Sequence, residues 1–107
     1  MNCTVKLIVG EKDLCIGPGL ITLLEQIADS SSVMEAASRM EISYSKAWKL
    51  IREAEGSLGC KLVTRKSGGP GGGQAAVSEE GKNLIINFRR TERQVKDFAR
   101  KKTEAWD

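Results

Sequence analysis

Residues 32–77 read SVMEAASRMEISYSKAWKLIREAEGSLGCKLVTRKSGGPGGGQAAV. Ser32-x-x-Glu35 is a capping-box pattern, in which hydroxyl and carboxylate each accept from an otherwise unpaired backbone N–H. Val33, Ala36, Ala37 and Met40 follow it at helical spacing, enough for two turns of helix. The paired alanines would let a neighbouring helix approach closely. Glu41-Ile42-Ser43 is too short to be anything but a turn, with Ile42 available to pack beneath it and Ser43 set to cap a second helix from Tyr44 to about Glu55. On that helix Ala47, Ile51, Ala54 and Leu58 fall at spacings of 4, 3 and 4 and are expected inward, joined by Trp48 and Leu50. Ser45, Lys49 and Arg52 share another face, with Lys46 beside them and Tyr44 at the start. Gly56 and Gly59 bracket the exit. Lys61–Lys66 (KLVTRK) then reads as a strand with a basic end, and Ala75–Val77 as its returning partner. Between them, Ser67–Gln74 holds five of the eleven glycines and cannot be a regular element. Helix, tight turn, helix and two-stranded ribbon, in that order, is the plan of a winged helix-turn-helix.

The flanks fit a mainly α fold with small β-hairpins. Thr4–Val9 and Leu14–Ile16 are β-prone runs around the turn-rich Gly10–Asp13 and predict a small hairpin. Pro18 sits where a helix start tolerates its missing N–H, and Leu20, Leu23, Leu24, Ile27 and Ala28 recur at helical spacing to about Asp29. After the ribbon, Ser78 caps a last helix with Glu79 and Glu80 in its first turn, where acidic groups complement the helix dipole. That helix is expected to run to about Trp106. Leu84, Phe88, Thr91, Val95, Phe98, Lys102 and Ala105 keep the alternating spacing of a coiled-coil seam along it, with Thr91 and Lys102 as faults. A helix so long has more apolar surface than a small domain can cover, and a second copy of the chain is its natural partner. Leu84, Phe88, Val95 and Phe98 are the expected interface. Residues 1–78 thus form a winged helix-turn-helix with an N-terminal hairpin, and residues 79–107 a long dimerisation helix.

Totals narrow the function classes. A length of 107 residues suits one domain, and 40% hydrophobic with 29% charged residues is the balance of an ordinary globular protein. No apolar run approaches the ~20 residues that cross a bilayer, and the N-terminus lacks a signal-peptide pattern, so a cytoplasmic protein is expected. The net charge of +3 is unevenly spread: residues 1–38 carry −3, residues 39–66 carry +4 and residues 67–107 carry +2. Positive charge therefore gathers on the second helix of the pair and the strand after it, as a footprint for phosphates requires, though a solvated basic face alone would look the same. Cys3, Cys15 and Cys60 are odd in number and widely spaced, and the chain has no histidine. A structural zinc site and a disulfide framework are not expected; buried thiols acting as small hydrophobes are.

The chemistry available points to nucleic acid. Phosphates are met by Lys, Arg, Ser and backbone N–H groups, and base edges by side chains on the exposed N-terminal half of a recognition helix. Ser43, Tyr44, Ser45, Lys46 and Lys49 occupy those places, and Arg52, a turn further on, is assigned to the DNA backbone. In the wing, Arg65 and Lys66 stand at the strand end and Gln74 across the loop, whose glycines would let main-chain N–H groups approach phosphates. The loop is not a nucleotide-binding P-loop, because Gly73 is followed by Gln74-Ala75 and a strand instead of Lys-Ser/Thr and a helix. Without histidine no Ser–His or Cys–His nucleophile can form, and Glu53/Glu55 and Glu79/Glu80 are explained by helix surface and helix start. No enzyme, metal or cofactor is expected. A winged-helix protein-interaction module that does not read DNA is the alternative.

About residues 4–100, and most clearly 17–85, also resemble the N-terminal DNA-binding domain of the ModE-type, molybdate-dependent regulators, a winged-helix relative of the LysR-type regulators. The matching features are Gly17-Pro18-Gly19 before the first helix and AAxxMxISYxxAW across residues 36–48. Further on come LGxxLVxR across residues 58–65, the glycine loop, and Ser78-Glu79-Glu80-Gly81. The resemblance implies a homodimer that presents two recognition helices to a palindromic operator in double-stranded DNA. It also implies that the recognition helix starts at Ser43-Tyr44 and that Arg65 is the wing arginine. Full-length members bind molybdate or tungstate in C-terminal OB-like domains. This sequence stops at Asp107 without one, so molybdate binding by this chain is not expected.

Overall fold

The computed structural model describes residues 1–11, 13–66 and 74–106. Two short strands, β1 (Val9–Glu11) and β2 (Leu14–Ile16), precede three helices, α1 (Pro18–Ser30), α2 (Val33–Arg39) and α3 (Tyr44–Leu58). A second strand pair, β3 (Val63–Lys66) and β4 (Gln74–Val77), leads into α4 (Glu79–Thr103). Both pairs are antiparallel, with Val9 opposite Ile16 in the first and Val63 opposite Val77 in the second. The architecture is the expected winged helix-turn-helix with a long C-terminal helix. The first strand is shorter than read from the sequence: Thr4–Ile8 lies outside it, and Lys12 is outside the described residues.

Each helix start is fixed by a serine or a proline. Pro18 occupies the first turn of α1 behind Gly17. Ser32, Ser43 and Ser78 are N-caps whose hydroxyls accept from the backbone N–H of Glu35, Lys46 and Gly81, each at 3.0 Å. Only half of the capping box expected at Ser32 forms. Glu35 turns to Arg39 at 3.4 Å, and the Ser32 N–H donates to Ser30 Oγ instead. Helix α2 ends in a Schellman motif: Ile42 N–H donates to Ala37 O at 3.0 Å, Glu41 N–H donates to Ser38 O at 3.1 Å, and Glu41 takes φ 57°. The half-buried Ile42 then packs against the core beneath the turn. The angle between the two helices is thereby set by three residues. Gly59, at φ 72°, ends α3 with its N–H on Glu55 O.

The core is built from one face of every helix. Leu20, Ile21, Leu23, Leu24 and Ile27 of α1 are buried against Val33, Ala36 and Ala37 of α2 and Ala47, Ile51 and Ala54 of α3. Leu62, Val63, Ala75, Val77 and Phe88 close it from the wing and α4. Ile21, outside the apolar stripe read from the sequence, is fully buried, whereas Ala28 lies on the surface. Leu58, expected inward, is exposed because it is the last residue of α3, beyond the reach of α1. The cysteine reading fails for Cys3 and Cys15, whereas Cys60 does pack against the core. Cys3 and Cys15 are exposed and Cys60 is half-buried, since Cys15 sits on the outward side of a two-stranded hairpin whose Ile16 points in.

Polar links hold the outer elements to this core. Arg39 ties α2 to α1 through Asp29 at 2.7 Å and Gln26 at 2.9 Å. Arg89 ties α4 to α1 with a two-pronged contact to Glu25 at 2.6 and 3.1 Å, a bond to Thr22 Oγ1 and one to Glu92. Bonding to Glu25 holds the Arg89 guanidinium above its ordinary range, and Arg89 in turn holds the Glu92 carboxyl below its own. The α4 seam divides as a result. Phe88 is buried in the protomer's own core and Leu84 is half-buried against it, so neither presents the free face expected of an interface residue. Val95 and Phe98 remain outside, together with Ile86, and Phe98 is 65% exposed.

Candidate nucleic-acid interface

The surface that matters is the outer side of α3 and the root of the wing. Ser43 fixes where α3 begins, so the first helical turn carries Tyr44, Ser45 and Lys46 outward. Those three, with Lys49 and Arg52, are exposed, as are Arg65 on β3 and Gln74 on β4. The burial of Ala47, Ile51 and Ala54 dictates this orientation, because a helix that sinks one stripe must show the opposite one. Eight of the nine candidate contacts are exposed, six at the start and outer side of α3 and two on the ribbon, where the register puts Arg65 on the side of Val63 and Val77 and Gln74 on the opposite one. The Lys66 side chain and the glycine-rich loop, Ser67–Gly73, lie outside the described residues.

Trp48 joins helix and wing. Its indole is half-buried, and the Arg65 guanidinium carbon lies 4.4 Å from the ring centre. Arg52 lies 5.3 Å from the same ring, one turn further along α3. Arg65 also reaches Tyr44, with Nη2 3.5 Å from the phenolic oxygen, and the Tyr44 and Trp48 rings meet edge to face at 6.4 Å. A cation over an indole face is attracted by the ring quadrupole. Two arginines from different elements are thus gathered on one aromatic platform. They line an open cleft of about 500 Å³ with Tyr44, Ser45 and Lys49, in which Glu53 is the acidic member.

The wing root has a second anchor. The Glu55 side chain, 10% exposed, accepts from the backbone N–H of Leu62 at 2.8 Å and of Val63 at 3.2 Å. Those donors begin β3, so a recognition-helix carboxylate sets where the wing strand starts. The reading of Glu55 as helix surface is corrected here; Glu53, two residues earlier, is exposed as expected. From the other side, Ala75 N–H donates to Ser31 O at 2.9 Å, hooking β4 onto the end of α1. Sequence reasoning missed both Glu55 and the Trp48–Arg65 stack. A signal existed for the first partner set: 44, 48, 52 and 55 form one helical stripe, aromatic, aromatic, cationic, anionic, on the side turned to the ribbon.

Among the described residues no group of His, Cys, Asp and Glu could hold a metal ion, and no helix is long and apolar enough to cross a membrane. The arrangement is that of a regulatory helix-turn-helix protein of the winged type. Residues 19–82 match the model of the bacterial regulatory helix-turn-helix proteins of the lysR family, and the chain belongs to that family. It is 39% identical over 75 residues to the DNA-binding transcriptional dual regulator ModE of Escherichia coli K12, a match covering 70% of this chain and 29% of that protein. It is 36% identical over 73 residues to the molybdenum-pterin-binding protein MopA of Rhodobacter capsulatus, covering 68% and 28%. With the molybdenum transport protein ModE of Herbaspirillum seropedicae the identity is 31% over 84 residues, covering 78% and 31%. The chain spans less than a third of the length of these curated relatives.

Proposed function

We propose that the chain is a sequence-specific DNA-binding transcriptional regulator that works in the cytoplasm as a homodimer on a palindromic operator. The observation that carries this reading is the outward face of Ser45, Lys46, Lys49 and Arg52, continuous with Arg65 of the wing. The N-terminal half of α3 enters the major groove, where Ser43, Tyr44, Ser45, Lys46 and Lys49 meet base edges and nearby phosphates and Arg52 meets the flanking backbone. Arg65, Lys66 and Gln74 follow the adjacent phosphates. In this division residues 1–78 read DNA and residues 79–107 pair the protomers through Val95 and Phe98, with Leu84 and Phe88 supporting the helix from inside. The molybdenum in the names of the Rhodobacter capsulatus and Herbaspirillum seropedicae relatives favours a molybdenum-related setting. We assign no molybdate site and no catalytic role to these residues.

A mobility-shift titration tests the reading. Lys46→Ala and Lys49→Ala should each weaken duplex binding several-fold, whereas Lys101→Ala, whose ammonium is paired with Asp97 far along α4, should not. Equal losses for all three would refute the assigned face. Sedimentation should find a dimer; a stable monomer that ignores DNA would favour a protein-interaction module instead.

A further inference from the structure

We infer that Trp48 is a positioning residue for DNA binding, which holds the guanidinium groups of Arg65 and Arg52 ready for a phosphodiester in the cleft between α3 and the wing; the inference rests on the DNA-binding reading above. Arg65 projects from a four-residue strand whose far end meets the glycine-rich loop, so its backbone alone fixes little of where the guanidinium points. Three contacts do fix it: the indole face at 4.4 Å, the Tyr44 hydroxyl at 3.5 Å, and the anchoring of β3 by Glu55. Arg52 meets the same ring at 5.3 Å. Two cations brought to one ring repel each other, and a bound anion relieves that repulsion. The cleft they line has Lys49 and Ser45 as further donors, and an ordered guanidinium forms a two-pronged bond to phosphate without first losing its side-chain freedom.

The indole suits this role better than an ordinary core residue would. Its Nε1–H is buried and has no hydrogen-bond partner among the described residues, so the polar edge of the ring costs folding free energy instead of adding to it. What the tryptophan adds over phenylalanine is a larger face with a stronger attraction for a cation. Trp48 touches no phosphate itself in this arrangement. It acts through Arg65 and Arg52.

The test uses the whole chain, duplex DNA carrying a site recovered by in vitro selection, and a set of variants. Trp48→Leu should keep the fold and the dimer but lower affinity about tenfold, and should reduce the slope of log affinity against log salt as Arg65→Ala does, since each lost phosphate contact removes ~0.9 from that slope. Trp48→Phe should restore most of both. Adding Trp48→Leu to the double variant Arg52→Ala/Arg65→Ala should lower affinity no further, because both groups it positions are already gone, and Glu53→Gln should tighten binding by removing the acidic member of the cleft. An upfield ring-current shift of the Arg65 side-chain protons, present in the free wild type and in Trp48→Phe and lost in Trp48→Leu, reads the stack without DNA. Unchanged affinity and slope in Trp48→Leu, or a Trp48→Leu loss that persists in full in the Arg52→Ala/Arg65→Ala background, would overturn the inference while leaving DNA binding intact. A wild type that shows the ring-current shift yet binds no duplex would sink the DNA-binding reading, and this role for Trp48 with it.

Discussion

Replacing Glu55 by alanine should loosen the wing from the recognition helix, and the size of the effect follows from two hydrogen bonds. The carboxylate accepts from Leu62 N–H at 2.8 Å and Val63 N–H at 3.2 Å, and only 10% of the side chain is exposed. A hydrogen bond to a charged group contributes about 1.5–3 kcal/mol, and a buried donor left unpaired costs about 1–3 kcal/mol. Water can reach part of the vacated site, so the lower half of the combined range applies, about 3 kcal/mol. Lys61 adds little, because its ammonium is 3.9 Å away and the side chain is 79% exposed. Unfolding entropy of about 2.1 cal/mol/K per residue converts 3 kcal/mol in a domain of this size into a Tm drop of about 13 °C. Differential scanning calorimetry at fixed protomer concentration reads it, since a dimer's Tm depends on concentration. Glu55→Gln keeps one accepting oxygen and should fall between alanine and wild type. Glu53→Ala, on the exposed side, should stay within about 0.5 kcal/mol. If the two alanine variants melt together, the assignment of Glu55 as the anchor of β3 is wrong.

Further outcomes follow from other contacts. Gly81→Ala should destabilise by about 1–3 kcal/mol despite alanine's helix propensity, because its Cβ would lie 2.6 Å from Val77 Cγ1 and 2.7 Å from the Leu62 carbonyl oxygen; urea titration checks this. Ser43→Ala removes the cap of the recognition helix and should cost about 1 kcal/mol by the same measurement. Glu92 has a folded-state pKa held below its ordinary 4.5 by Arg89 and then Lys96. Its contribution is therefore present above about pH 4.5 and disappears as pH falls through the lowered folded value. Glu92→Gln should be less stable than wild type at pH 7, and the two should converge in acid; a constant gap would contradict the pairing. Phe98→Lys together with Val95→Lys should shift the protein to monomer in sedimentation without changing its helical circular dichroism, because both side chains face solvent in the protomer.

Local chemistry in the sequence accounted for most of the fold. Caps at Ser32, Ser43 and Ser78, a proline at Pro18 and a left-handed Gly59 are short-range devices, legible because each acts within four residues of itself. The outward face of Ser45, Lys46, Lys49 and Arg52 was legible for the same reason, as helical spacing fixes one face once the opposite one is buried. What escaped depends on distant partners. Glu55 reads as one more surface acid until β3 brings two backbone donors to it. Arg89 and Glu25 stand 64 residues apart, so nothing near either one announces the pair. Phe88 fits a coiled-coil seam by spacing, yet α4 leans on α1 along its first half and buries it there. The expectation for Cys15 followed a general preference for burial that a two-stranded hairpin cannot satisfy, because it has only one covered side.

In vitro selection of bound sequences from random duplex DNA, followed by a salt titration on the winner, tests the central claim most directly. The account predicts an inverted repeat whose half-sites lie about one helical turn apart, bound with a steep salt dependence that becomes shallower in Lys49→Ala. Recovery of no shared sequence, or binding whose salt slope is untouched by losing Lys49, would contradict it.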